Sequence, residues 1–117
     1  MATISRFEDA IVWNKAVELG IFANKQTNAL RDFSFVDQIR RAVLSISNNI
    51  AEGFERRSAK EKTQFFTIAR GSTSEVRSMA IFGARLGYFS AESAEQMDAL
   101  ALEIVKMLSS LMAHMEK

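Results

Sequence analysis

One histidine, His114, and no cysteine leave few groups for metal or nucleophilic chemistry. A chain without thiols has no disulfide framework, no thiolate zinc or iron–sulfur site and no cysteine nucleophile. A diiron site in a helical bundle needs Glu-x-x-His pairs, and Leu111 stands three positions before His114. His114 therefore reads as an exposed residue of a last helical turn. Ser72 and Ser74 fall inside a predicted helix and lack a histidine base. His-Glu-x-x-His, the phosphate-cradling Gly-x-x-x-x-Gly-Lys and the nucleophile elbow are all absent. The expectation is a non-enzyme with no catalytic residue, metal or cofactor. A carboxylate-only hydrolase is the remote alternative, and it needs acids that converge on a concave pocket.

The cations are more suggestive. Arg56-Arg57-Ser58-Ala59-Lys60-Glu61-Lys62 lies where one predicted helix ends and the next begins. Arginines there suit the C-terminal end of a helix dipole, which is one reading. The other is a knuckle that touches phosphates of RNA or DNA. The formal net charge is only +1, but it is unevenly spread. Residues 31–85 carry ten basic and six acidic side chains, whereas residues 86–117 carry two basic and five acidic. Arg40, Arg41, Arg56, Arg57, Lys60 and Lys62 are the candidate nucleic-acid contacts. Aromatic residues interleaved for base stacking are lacking, since Phe54, Phe65 and Phe66 are expected in the core.

A second set is polar. Arg41, Ser45, Asn48 and Glu52 recur at spacings of 4, 3 and 4, roughly opposite the apolar seam of their helix. Such a stripe is either simply exposed or hydrogen-bonded to another helix or subunit, where it would fix register. Glu75 flanks an apolar seam and is expected to be half-buried beside Arg40, Arg41 or Arg70, because an unpaired buried carboxylate is costly. Arg41, Ser45, Asn48, Asn49, Glu52, Arg70 and Glu75 form the candidate polar and ion-pair network.

Helices must position these groups. The 117 residues include no proline and only five glycines, and no Asn-Gly or Asp-Gly hairpin turn occurs. With 48% hydrophobic and 25% charged residues, the composition is that of an ordinary globular chain rather than a disordered one. Helix 1 is expected over about 10–29, capped by Asp9, with Val12, Ala16, Leu19 and Ala23 inward. Helix 2, about 35–56, follows Ser34 as cap with Asp37 as its capping-box acid, and buries Val36, Ile39, Val43, Ile46 and Ile50. Helix 3, about 59–86, follows Ser58 and buries Phe65, Ala69, Ser72, Val76, Met79, Gly83 and Leu86, with Gly87 as its stop. Helix 4, about 91–115, follows Ser90 and buries Ala94, Met97, Ala101, Ile104, Leu108, Leu111 and Met115.

Short joints force neighbouring helices to run in opposite directions. The expected fold is all-α, a single antiparallel up-down-up-down four-helix bundle over residues 1–117. Met1–Arg6 is not followed by an apolar stretch, so no signal peptide is expected, and no segment reaches the roughly 18 apolar residues of a membrane span. Apolar residues exceed one seam. Ile11, Val17, Ile21, Phe22, Phe66, Ile68, Ile81 and Phe82 either widen the core or form a second face for self-association.

Several stretches carry a family resemblance that covers the whole chain in order. Phe7-Glu8-Asp9, Val12-Trp13 and Lys15-Ala16 resemble the opening of the 23S ribosomal RNA intervening-sequence proteins. Gln38 to Ala42, Ser45-Ile46, Asn49 to Phe54, Arg57-Ser58, Phe65, Ile68 to Ser72, Glu75 and Leu86-Gly87-Tyr88 are similar to that family's central signature. Ser47 departs from it, standing where the family often has proline, which should straighten helix 2. The resemblance implies a four-helix bundle in a cytoplasmic bacterial protein, with a ring-like homo-oligomer, commonly a pentamer. It also implies partners such as RNA or a reverse transcriptase, as in the similar accessory proteins of diversity-generating retroelements. It implies no catalytic activity and no membrane partner.

Overall fold

A computed structural model describes residues 6–115; Met1–Ser5, part of the segment read for a leader, lie outside them. Phe7–Asp9 forms a short 3₁₀ turn, followed by α1 (Ile11–Thr27), α2 (Phe33–Glu55), α3 (Ala59–Arg85) and α4 (Ala91–Met115). No strand occurs among the described residues. No described helix is long and apolar enough to cross a membrane.

Two helix starts differ from expectation. Asp9 does not cap α1. It closes the 3₁₀ turn, and the cap position falls on Ala10, which has no side-chain acceptor. The turn is tied to the helix by Asn14, whose Nδ2 donates to the carbonyls of Glu8 and Ala10, each at 3.0 Å. The Phe7 and Trp13 rings meet edge to face, with centroids 5.2 Å apart. The cap of α2 is Asp32 rather than Ser34, its Oδ1 accepting from the Phe35 amide at 3.2 Å. Tyr88 explains the choice: its hydroxyl donates to the other Asp32 oxygen at 2.6 Å and anchors that carboxylate at the helix start. Asp37 is not a capping acid but pairs with Arg41 at 2.8 Å.

The remaining ends follow the local chemistry. Ser58 Oγ accepts from the Glu61 amide at 3.1 Å and Ser90 Oγ from the Ser93 amide at 3.0 Å, each satisfying an orphan donor of a first turn. At the end of α3, Gly87 adopts φ 81°. Tyr88 N donates to Gly83 O at 2.8 Å and Gly87 N to Ala84 O at 3.1 Å. That is the Schellman arrangement, which needs a left-handed residue.

The helices pack in a closed cycle, α1 on α2, α2 on α3, α3 on α4 and α4 on α1. Contacts between sequence neighbours fall in reverse order. Along α2 and α3, Gln38 meets Glu75, Ser45 meets Ser72, and Gly53 underlies Phe66. Along α3 and α4, Arg77 meets Asp98, Arg70 meets Ser109, and Thr67 meets Met112.

The α1 seam is buried as expected, and in α2 only Val36 stands half out. In α3 the buried stripe is Phe66, Ala69, Thr73, Val76, Ala80 and Gly83, a rotation of the expected seam. Phe65, Ser72 and Met79 are half-buried and Leu86 is exposed. The physical reason is a pairing of rings with glycines. A Cβ on Gly53 would overlap the Phe66 ring, and one on Gly83 would overlap Phe89. α4 shows a smaller shift, with Met112 buried and Leu111 and Met115 only partly so. The buried threonines Thr27 and Thr73 satisfy themselves, the first donating to Ala23 O at 2.9 Å and the second to Ala69 O at 2.7 Å.

Of the surplus apolar residues, Phe66 belongs to the core, and Val17 and Phe22 are half-buried. Ile11, Ile21, Ile68, Ile81 and Phe82 are exposed, as are Phe33, Leu44 and Leu86.

Candidate nucleic-acid interface

The six candidate cations divide by what holds them. Arg40 is half-buried between α1 and α2. Its Nε donates to Thr27 Oγ1 at 3.2 Å and its Nη2 to the Asn24 carbonyl at 3.4 Å. Lys62 Nζ donates to the carbonyls of Gly53 at 3.3 Å and Phe54 at 3.1 Å. Each cation thus sits over the last turn of a helix, where carbonyls lack intrahelical partners and the dipole favours positive charge.

Arg41 and Arg56 are paired but near solvent. Arg41 Nε lies 2.8 Å from Asp37 Oδ2, with 74% of its side chain exposed. Arg56 pairs with Glu52, and its guanidinium carbon sits 5.0 Å from the Phe65 ring centroid. That contact gives Phe65 a place on the surface of the α2–α3 turn instead of in the core. Arg57 and Lys60 are exposed, and no acid pairs with either among the described residues.

The expected polar network resolves into separate contacts. Ser45 and Ser72 share a 2.8 Å hydrogen bond between α2 and α3, and Asn49 Nδ2 donates to the Ser45 carbonyl at 2.8 Å and its Oγ at 3.1 Å. Arg41, Asn48 and Glu52 face solvent. Arg70 turns to α4 and donates to Ser109 Oγ at 3.1 Å. Glu75 is exposed rather than half-buried, and its partner is Gln38, at 2.5 Å, rather than an arginine. The rotation of α3 causes this: turning Phe66 and Thr73 inward carries Glu75 outward and Arg70 toward α4.

The shortest side-chain hydrogen bond outside the candidate set, among the described residues, joins Tyr88 to Asp32 at 2.6 Å. The tyrosine hydroxyl, then the Phe35 amide, hold the Asp32 carboxyl below its usual range, and the same bond raises the Tyr88 hydroxyl above its own. Sequence reading missed this pair because 56 positions separate the partners. No cluster of metal-ligating side chains occurs among the described residues, and His114 lies exposed in the last turn of α4. At Ser47 the helix runs on unbroken, and the hydroxyl donates to the Leu44 carbonyl at 3.3 Å.

The sequence pattern of the 23S rRNA-intervening sequence protein family matches residues 8–110. The chain belongs to that family. The intervening-sequence match takes in all six candidate cations and stops short of His114. Among solved structures, the chain is similar to a protein of unknown function from the S23 ribosomal protein family of Bacteroides thetaiotaomicron. The two are 25% identical with a TM-score of 0.81, over 87% of this chain and 98% of the other. A search of curated proteins gives no match.

Proposed function

We propose that this intervening-sequence family member is a non-enzymatic, cytoplasmic, self-assembling protein, an antiparallel up-down-up-down bundle that binds RNA at its α2–α3 turn. The observation that carries the reading is the exposure of Arg57 and Lys60 without acidic partners, beside Arg56. Exposed ion pairs such as Arg41–Asp37 and Arg56–Glu52 contribute only about 0–1 kcal/mol, so a phosphate competes readily for those arginines. Arg40 and Lys62 serve the bundle and drop out of the contact set. Cyclic assembly, which the family resemblance implies, would repeat a weak patch and raise its avidity.

The test is a salt titration of affinity for a structured RNA. The logarithm of the binding constant should fall linearly with the logarithm of salt concentration. The double variant Arg57→Ala, Lys60→Ala should flatten that slope by about 2. No binding at low salt would sink the RNA reading.

A second reading, an assembly scaffold without nucleic acid, is favoured by the eight large apolar side chains left exposed among the described residues. It predicts assembly with no RNA affinity at any salt concentration.

A further inference from the structure

α3 carries two stripes at helical spacing, and the bundle buries one. Ile68, Gly71, Glu75, Ser78 and Phe82 recur at spacings of 3, 4, 3 and 4, and all five are exposed. The stripe is apolar toward both ends, with Ile68 51% and Phe82 60% exposed. Its middle is small or polar. Gly71 is informative here, because a Cβ built on it meets nothing within 4 Å. The chain's own packing does not call for glycine at that position, and glycine is a poor residue for a helix interior. What a bare backbone admits there is close approach from outside the chain.

A second unpartnered surface lies between α1 and α2. Val17, Gly20, Ile21, Val43 and Leu44 line an apolar groove of about 350 Å³. Ile21 and Leu44 are 53% and 60% exposed. Lys25, itself exposed, is the one charged residue of the lining.

We propose that the exposed stripe of α3 docks in the α1–α2 groove of a second copy of this chain, with Glu75 facing Lys25. The proposal rests on the self-assembly reading above and names the surfaces that carry it. Three features choose the occupant. The stripe offers an apolar side chain toward each end, Ile68 and Phe82, and the groove is an apolar cleft, so side chains of one can seat between those of the other as in helix packing. The stripe holds one carboxylate, Glu75, whose bond to the neutral Gln38 leaves its charge unbalanced, and the groove holds one ammonium, so their charges are complementary. Pairing the stripe with itself about a two-fold axis would instead bring the two Glu75 carboxylates together, because Glu75 is its midpoint. Since stripe and groove sit on different helices, the contact is heterologous. Each copy offers one of each, so assembly runs head to tail, into a closed ring or an open filament as the rotation between copies sets.

The test uses the chain with Leu44→Asp, which spoils only the groove, and with Phe82→Asp, which spoils only the stripe. Both positions are exposed, so circular dichroism should show unchanged helicity. Light scattering should find the wild type assembled and each variant weakened by roughly 30-fold or more. Mixed at high concentration, the two variants should form a 1:1 dimer and stop there, because only one intact stripe and one intact groove remain.

A mixture that stays monomeric, or variants that assemble like the wild type, would overturn the proposal and leave self-assembly standing. A monomeric wild type would overturn both. Should an aspartate variant lose helicity, Lys25→Glu and Glu75→Lys replace it. Each alone should weaken assembly and the two in one chain should restore it; failure of that rescue would count against the interface.

Discussion

Asp32 and Tyr88 show how one side-chain contact joins distant parts of the chain and makes stability depend on pH. The bond requires an ionised carboxyl and a protonated phenol. Asp32 is depressed below its ordinary value of 3.8, so its contribution is present above that value and lost as pH falls through the lower folded value. Tyr88 is raised above 10.0, so its contribution holds below that value and is lost as pH rises through the higher folded value. Tyr88→Phe should therefore melt at a lower temperature than wild type at neutral pH. The difference should shrink as pH falls below 3.8 and through the lower folded value. Thermal melts across that range check it, and a constant difference would refute it.

Cations obey a similar division. Arg40→Ala removes a half-buried helix-end contact and should cost on the order of 1 kcal/mol of unfolding free energy. Arg57→Ala should stay within about 0.5 kcal/mol. Denaturant titration separates them, and equal effects would contradict the assignment of Arg40 to the bundle.

The helices themselves were largely readable from caps and periodicity. Ser58, Ser90 and Gly87 mark ends where local chemistry alone decides, and α4 follows its expected bounds. The start of α2 was not readable, because choosing Asp32 over Ser34 depends on Tyr88 from another joint. The facing of α3 was also hidden. Phe65 and Phe66 are adjacent and equally apolar, and only the bare surface of Gly53 on α2 makes room for Phe66. Phe66→Ala should cost about 3–5 kcal/mol, whereas Phe65→Ala, half-buried beneath Arg56, should cost much less. Gly53→Ala should destabilise by about 1–3 kcal/mol through overpacking. Urea unfolding of the three variants tests the rotation, and a larger loss at Phe65 would refute it.

Across the whole bundle, the uneven charge of the sequence becomes a sparser surface than the count of cations suggests. Two of the six candidates neutralise helix ends and two engage acids one turn away, which leaves Arg57 and Lys60 most available. The surplus apolar residues are sorted in the same way. Phe66 fills the core, while Ile68, Phe82, Ile21 and Leu44 stay on its outside. Gly71→Ala provides a measurement that opposes fold and assembly. Alanine should raise the unfolding free energy of the dissociated bundle by about 0.5–1 kcal/mol, yet weaken association by placing a methyl at the proposed contact. A variant that gains stability and assembles unchanged would show that nothing approaches Gly71.

The sequence alone determined the all-α class, the number of helices, most of their ends and the family. These depend on residues within a turn or two of each other, on the absence of proline, and on motifs read in order. Only the tertiary structure decided which face of α3 turns inward, which cations remain free and which apolar residues stay exposed. Those outcomes depend on what lies opposite each side chain across the bundle, and a helical period cannot specify the neighbour against which it packs.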